Sequence, residues 1–559
     1  YDWNGSSWTQ VGSDIDGEAS TDESGYSVAM DNTGTRIAIG APKNNNPGYD
    51  SGHVRVYDWN GSSWTQVGSD IDGEHRGDQS GWSIAMSYDG KRLAIGAPLN
   101  DENGSESGHV RVYEYSNGSW AQLGSDINGI PVFAYQYDIR FGYSVAMNSD
   151  GSILAIGGKG HDRANGFWQD KDIGHVRVYE YDTTNGWEQL GNNILGEDTE
   201  DYFGHSLAIN SDGTRIACGS MHHDNNRGHV RVYDRDTSNT TIEPIGWTQV
   251  GSDIDGEAGD DQSGYSVAMN SSGTRIAIGA PRNDGNGGNS GHVRVYEYDI
   301  TNGWTQVGSD IDGEAENNYS GWSVAMSSDG TRIAIGAPRN DGNGDDSGLV
   351  RIYDYDGSSW TQVSSDIDGE AIDDQSGYSV AMSSDGTIIA IGAPATSEPN
   401  QAGTALIRRA GNVSVYVRDP TWWLGWKQLG ESIIGRIKGE NTGMSVALNQ
   451  DGTRIVIGSD PDDGVENVRV WDYRTITTDE WNNGYVSKID SNGNTLSYNV
   501  SKKYWIQVGD DINGENGYDR LGKSVAMSAN GGIVAIGAPL NNGNGSNSGH
   551  VRVYNWDDS

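Results

Sequence analysis

Residues 263–314 read SGYSVAMNSSGTRIAIGAPRNDGNGGNSGHVRVYEYDITNGWTQVGSDIDGE, and this stretch recurs with variation along the whole chain. Copies begin at Gly25, Gly81, Gly142, Gly204, Gly264, Gly321, Gly377, Gly443 and Gly522, mostly about 56 to 66 residues apart. A fixed period of this size marks a repeat architecture, in which a unit cannot bury its apolar face alone and stacks on its neighbours. Each copy predicts four short strands. They are Gly264–Met269, Arg275–Pro281, Gly291–Tyr296 and Trp304–Gly308 in the quoted copy. All are rich in β-branched or aromatic residues and are bounded by Gly, Asn, Asp and Ser. The third alternates Val with Arg and Tyr, the pattern of a half-buried strand. Asp-Gly turns such as Asp329-Gly330 suit a tight hairpin between the first two strands. Four antiparallel strands in about 60 residues are the content of one propeller blade. The expected fold is therefore all-β: a β-propeller of about nine four-stranded antiparallel blades in a single array over residues 1–559, with copies starting near 24, 80, 141, 203, 263, 320, 376, 442 and 521.

The two ends complement each other. Residues 1–16 hold a lone fourth strand around Trp8, and the last copy has three strands and no fourth. The N-terminal strand is expected to complete the last blade, either of its own chain or of a neighbouring one. Because the chain starts at Tyr1 without a signal peptide, a processed product or a piece of something longer is expected.

The 559 residues include 81 Gly, 12 Pro and one Cys. Against 37 Lys and Arg stand 79 Asp and Glu, a net charge of −42. That balance argues against nucleic acid, whose phosphates want cations, and favours solubility and cation binding. No apolar run approaches the roughly 18 residues of a membrane helix, so no membrane insertion is expected. Cys218 stands in the second strand where other copies have Ile278 or Ile335, and reads as a core residue. Glycosylation sequons occur at Asn4, Asn60, Asn103, Asn117, Asn239, Asn270, Asn318, Asn412, Asn499 and Asn544 and point to secretion.

Several copies depart from the consensus. The third is preceded by an aromatic linker at 130–137 and carries a loop at 159–172. The fourth has Met221-His222-His223-Asp224. The seventh has Arg408-Arg409 and Trp422-Trp423, and the eighth an insertion at 474–503. Long irregular segments of this kind are usually functional or mobile.

Phe141-Gly142-Tyr143-Ser144-Val145-Ala146, Phe203-Gly204-His205-Ser206 and Ile278-Gly279-Ala280-Pro281 resemble the FG-GAP repeat, which builds the integrin α-subunit propeller and many secreted microbial and algal proteins. The resemblance covers essentially the whole chain and implies the blade architecture. Most copies have Ser where the family has Phe before the Gly. Integrin-type blades often carry an Asp-x-Asp-x-Asp-Gly calcium loop between strands one and two. Here that loop is only Asp-Gly, as at Asp329-Gly330, so the calcium site does not transfer. The likeness is to a shorter variant with tight turns.

Alternating carboxylates elsewhere keep calcium open as the one possible cofactor, none being required. Asp253, Asp255 and Glu257 alternate, as do Asp310, Asp312 and Glu314, and Asp366, Asp368 and Glu370. Strand alternation places them at the same end of the blades as loops such as Asp341, Asn343 and Asp345. Ca²⁺ takes six to eight hard oxygens; the competing reading is that Asp-Gly and Asn-Gly simply form turns. The histidines heading strand three (His53, His109, His175, His229, His292, His550) recur at one position in six of the nine copies, which reads as packing. The arginines two residues later are expected to pair with acidic neighbours on adjacent strands, and the strand-four Trp residues to pack between blades. His222-His223 with Asp224 reads as polar surface, with a transition-metal site as the alternative.

No Gly-x-Ser-x-Gly elbow, phosphate loop, Cys-x-x-Cys or His-Glu-x-x-His occurs. The expected function is a non-enzymatic structural or adhesive protein, extracellular or at the cell surface, acting as a building unit of a coat or filament. Its expected partners are other protein subunits, including copies of itself arranged head-to-tail or laterally. A calcium-assisted, lectin-like carbohydrate-binding propeller is the alternative, with glycans as partners; a glycan-active enzyme is third.

Overall fold

A computed structural model describes residues 2–3, 8–9, 15–16, 18, 21–24, 26–31, 36–59, 64–116, 119–129, 139–158, 160, 173–198, 200–241, 244–363, 365–396, 398–399, 406–407, 411–418, 426–429, 432–434, 441–459, 467–475, 503–507, 512–513, 524–527, 533–538 and 550–555. Outside these lie the linker at 130–137, most of the loop at 159–172, Arg408-Arg409, Trp422-Trp423 and nearly all of 474–503, together with the sequons at Asn4, Asn60, Asn117, Asn499 and Asn544.

In the quoted copy the first strand is Ser266–Met269, the second Arg275–Ala280, the third His292–Asp299 and the fourth Gly303–Gln306. They pair antiparallel in sequence order. The sequence reading missed a fifth, Ile311–Asp312, which lies on the head of the third strand with Asp312 opposite His292 and Ile311 opposite Val293. Its signal was the apolar residue between two carboxylates: Ile71, Ile254, Ile311 and Ile367 are all buried, as are their counterparts Ile127 and Ile433. This five-strand plan recurs in every one of the first eight copies.

The ninth sheet holds Ser524–Met527, Ile533–Ala538 and His550–Asn555, and its fourth member is Ile15–Asp16, paired with Val551 and His550. The expectation that the strand around Trp8 would complete this sheet is corrected. Trp8–Thr9 instead pairs with Asp2–Trp3, Trp3 opposite Trp8, in the register that repeat one uses for Trp59 and Trp64. Asp2–Trp3 supplies that strand with a local partner and itself lies near the third strand of the ninth sheet, while Ile15–Asp16 is the segment that pairs into that sheet. The first strand of repeat one adjoins the first strand of repeat nine, as each other first strand adjoins the next, which closes the ring within one chain.

Three sets of bonds stitch neighbouring blades. The Ser of the first strand donates its hydroxyl to the Gly carbonyl opening the next copy, as in Ser266 to Gly321 at 3.0 Å and Ser323 to Gly377 at 2.9 Å. This accounts for Gly-x-Ser. The second-strand Arg holds a carboxylate on its own third strand and a carbonyl of the next blade: Arg215 reaches Asp234 and, at 2.8 Å, the Gly273 oxygen. Backbone bonds run blade to blade from Tyr88 to Ser149, Ser211, Ser271, Ser328, Ser384 and Gln450. Clusters of Ile, Val and Ala from adjacent second and third strands fill the space between sheets. In the cluster joining repeats four and five, Ala217, Val230 and Val232 meet Ile276 and Ile278. Trp304 packs against that cluster with the Arg215 guanidinium over its ring, the between-blade position expected of it.

Candidate functional site

Two regions gather polar and aromatic side chains: the crevices between blades at the end bearing the fifth strands, and the axis of the ring.

The crevice of repeat five is built by three segments. The connector leaving repeat four contributes Glu257, the head of the third strand contributes His292, and the fifth strand and its approach contribute Asp312 and Asp310. Ligand-type atoms of Glu257, His292 and Asp310 lie within 4.8 Å of one another. His292 Nδ1 is 3.8 Å from Glu257 Oε2 and 3.9 Å from Asp312 Oδ1. The imidazole is fully buried, while Glu257 and Asp312 are partly exposed. The Gly of Asp-Gly-Glu is required by space. A Cβ on Gly313 would sit 1.9 Å from the Ser290 carbonyl oxygen, because the connector passes directly over the start of the third strand.

The alternating carboxylates therefore do not converge as one set. Asp253 and Asp255 face His229 of repeat four, whereas Glu257 faces His292 of repeat five. Asp310 and Asp312 likewise lie at the His292 crevice, while Glu314 moves on to Asp366 in repeat six. Asp368 pairs with Leu349, which replaces the histidine there, and Glu370 meets Ser432 in repeat seven. The loop residues are spent on turns: Asp341 Oδ1 accepts the Asp346 N–H at 2.8 Å, and Asn343 donates to the Gly369 carbonyl at 2.8 Å. Asp345 is exposed. The loops do share a face with the connectors, but among the described residues they bring no ring of free oxygens to a single point.

The electrostatics follow from crowding. Burial first, then the charge of Asp310, raise the Glu257 carboxyl above its ordinary value, and the same causes raise Asp312. Burial and then hydrogen bonding to Asp366 raise Glu314. The imidazoles move the other way. Burial, helped by the following Arg, lowers His292 to about 4 and His53 and His109 to about 3. These rings are neutral at physiological pH.

The strand-three arginines do not pair mainly with carboxylates, as expected from the sequence. They donate to backbone carbonyls of the preceding fifth strand: Arg294 to Asp255, Arg351 to Asp312, Arg177 to Asn128 at 2.7 Å. His223 was read as polar surface. It is buried, binds Asp201 at 3.0 Å and stacks on His229 at 4.0 Å. Cys218 is fully buried and its thiol is pushed up to about 12. Among the described sequons Asn270, Asn318 and Asn412 are buried, so the folded chain leaves a glycan no room there; Asn103 and Asn239 are half-buried.

Where the first strands end, at one end of the axis, lies a cavity of about 590 Å³ lined by residues of all nine repeats, among them Met86, Met147, Met269, Met326 and Met527. At the opposite end of the first strands Tyr26, Trp82, Tyr143, His205, Tyr265, Trp322 and Tyr378 form a continuous, half-buried girdle with centroids 4.9 to 6.5 Å apart.

The FG-GAP repeat model matches residues 70–113, 309–353 and 513–554. No curated protein matches. Similar solved structures include a candidate 6-phosphogluconolactonase from Bacteroides fragilis NCTC 9343, at 12% identity over 69% of this chain and 91% of that one, with a TM-score of 0.37. Another, from Bacteroides uniformis ATCC 8492, is 12% identical over 72% and 98%, with a TM-score of 0.38.

Proposed function

We propose, starting from a chain that belongs to the FG-GAP repeat proteins and is folded as a β-propeller, that it works by protein–protein contact as a non-enzymatic structural or adhesive unit outside the cell or at its surface. One observation carries this reading. The same exposed acidic loop recurs in repeats two, five and six, each copy locked by its own Asp. Asp101 Oδ1 accepts the Glu106 N–H at 2.7 Å, Asp284 the Asn289 N–H at 2.7 Å, and Asp341 the Asp346 N–H at 2.8 Å. Loops pre-set in one shape lose little entropy when they bind, and several copies of one contact surface give avidity without new contacts. Their charge selects basic or cation-bridged partners.

The test is electron microscopy and analytical ultracentrifugation of the native material, with and without a chelator, beside the triple variant Asp101→Asn, Asp284→Asn, Asp341→Asn. Asn keeps the oxygen that caps each loop and removes the charge, so stability should change by less than about 0.5 kcal/mol. Assembly at low salt should weaken about tenfold. Native material that is monomeric at every salt and protein concentration would sink the reading.

A further inference from the structure

We propose that the crevices headed by His53, His109, His229 and His292 each bind a first-row transition dication, held between the buried imidazole and carboxylates from two successive connectors. The proposal is independent of the contact function above.

Acidic clusters alone are common on a chain of this charge; the histidines single these out. Each of the four is fully buried, and neither ring nitrogen has a hydrogen-bond partner among the described residues. A buried polar atom left unpaired is destabilising, and here that penalty is repeated in four blades. In every case Nδ1 is turned toward carboxylates: His53 lies 3.8 Å from both Glu18 and Asp72, His109 3.8 Å from Glu74, and His229 3.9 Å from Asp255. Ligand atoms about 3.4 Å apart are what tetrahedral bonds of about 2.1 Å produce. A contraction of a few tenths of an ångström by the half-exposed carboxylates would close the site.

Charge and donor type agree. In repeat five, Glu257, Asp310 and Asp312 supply three negative charges and Arg294 one positive, which leaves two for a dication to neutralise. Arg294 is already engaged by the Asp255 carbonyl. A neutral imidazole with carboxylates suits the zinc, iron and nickel class, whereas calcium prefers oxygens throughout.

Repeat six is a natural control. It keeps Glu314, Asp366 and Asp368 but has buried Leu349 in place of the histidine. Chelator-stripped full-length protein should be titrated with Zn²⁺ by calorimetry, with bound metal counted by mass spectrometry. His292→Leu, which copies repeat six, should lose one equivalent. Leu349→His, which copies repeat five, should gain one, and Co²⁺ bound at the new site should show an imidazole ligand in its absorption spectrum. If His292→Leu does not fold, Leu349→His alone decides. Metal counts unchanged by Leu349→His, uptake of Ca²⁺ but not Zn²⁺, or no binding beyond that of an unfolded control would each overturn the proposal.

Discussion

Repeats five and six share their backbone and differ at the point where chemistry would occur. In both, the third-strand Arg caps the preceding fifth strand, the Gly of Asp-Gly-Glu crosses the strand head, and the connector Glu meets the first Asp of the next triplet. Beneath that carboxyl pair the residue changes, from His292 to Leu349, and both are buried. The frame therefore does not need the imidazole. A side chain of similar size and no polar atom serves the packing, and the histidine adds two nitrogens for which the packing has no use. Structure and site are separable in this chain.

The largest effect expected should not distinguish the two blades. Gly313→Ala places a methyl group 1.9 Å from the Ser290 carbonyl oxygen, and Gly369→Ala places one 2.0 Å from that of Ser347. Backbone atoms cannot yield as a flexible side chain does, so each should cost about 3 kcal/mol or more. Matched losses in chemical denaturation are expected; a clear difference would show that the frames are not equivalent.

Acid should separate them. The folded-state value of His292 is about 4 against 6.5 for a free imidazole, so between those limits the unfolded chain binds more protons. The stability held by the neutral ring is complete above pH 6.5, declines as pH falls, and is gone below about 4. The raised carboxyls act oppositely, giving up stability as pH rises through their folded values, but they are common to wild type and variant. His292→Leu measured against wild type therefore isolates the ring. The variant should gain on wild type by about 2 kcal/mol between pH 6.5 and 4. Parallel pH–stability curves would show that the ring is not buried as a neutral group.

The repeat and its strands were legible because β-branched alternation and turn glycines are local signals. The fifth strand was not, since two residues set no period; only Ile311 between Asp310 and Asp312 marked it. The site was half legible. The carboxylates were picked out as candidate ligands, but sequence proximity placed Asp253, Asp255 and Glu257 together, whereas the chain crosses from one blade to the next at Gly256 and divides them. The histidines were read as packing because they recur, yet recurrence is what a site built once per blade also produces. Burial with unpaired nitrogens distinguishes the two, and that is a property of the folded chain.

The smallest effect concerns the turn that follows the connector. In repeat five, fully buried Asp261 accepts the N–H groups of Glu257 and Ala258 at 2.9 and 2.8 Å and the Asn283 amide at 3.0 Å. In repeat six Asn318 does the same for Glu314, Ala315 and Asn340. Each leaves one buried atom unpaired, Asp261 Oδ1 in one blade and Asn318 Nδ2 in the other. Since a single oxygen does the capping in both, the exchanges Asp261→Asn and Asn318→Asp should each shift stability by less than about 1 kcal/mol, whereas Ala at either position strands three donors and should cost about 2 kcal/mol. A large penalty for Asp261→Asn alone, read by thermal denaturation, would mean that the charge, and not the oxygen, holds the connector in blade five.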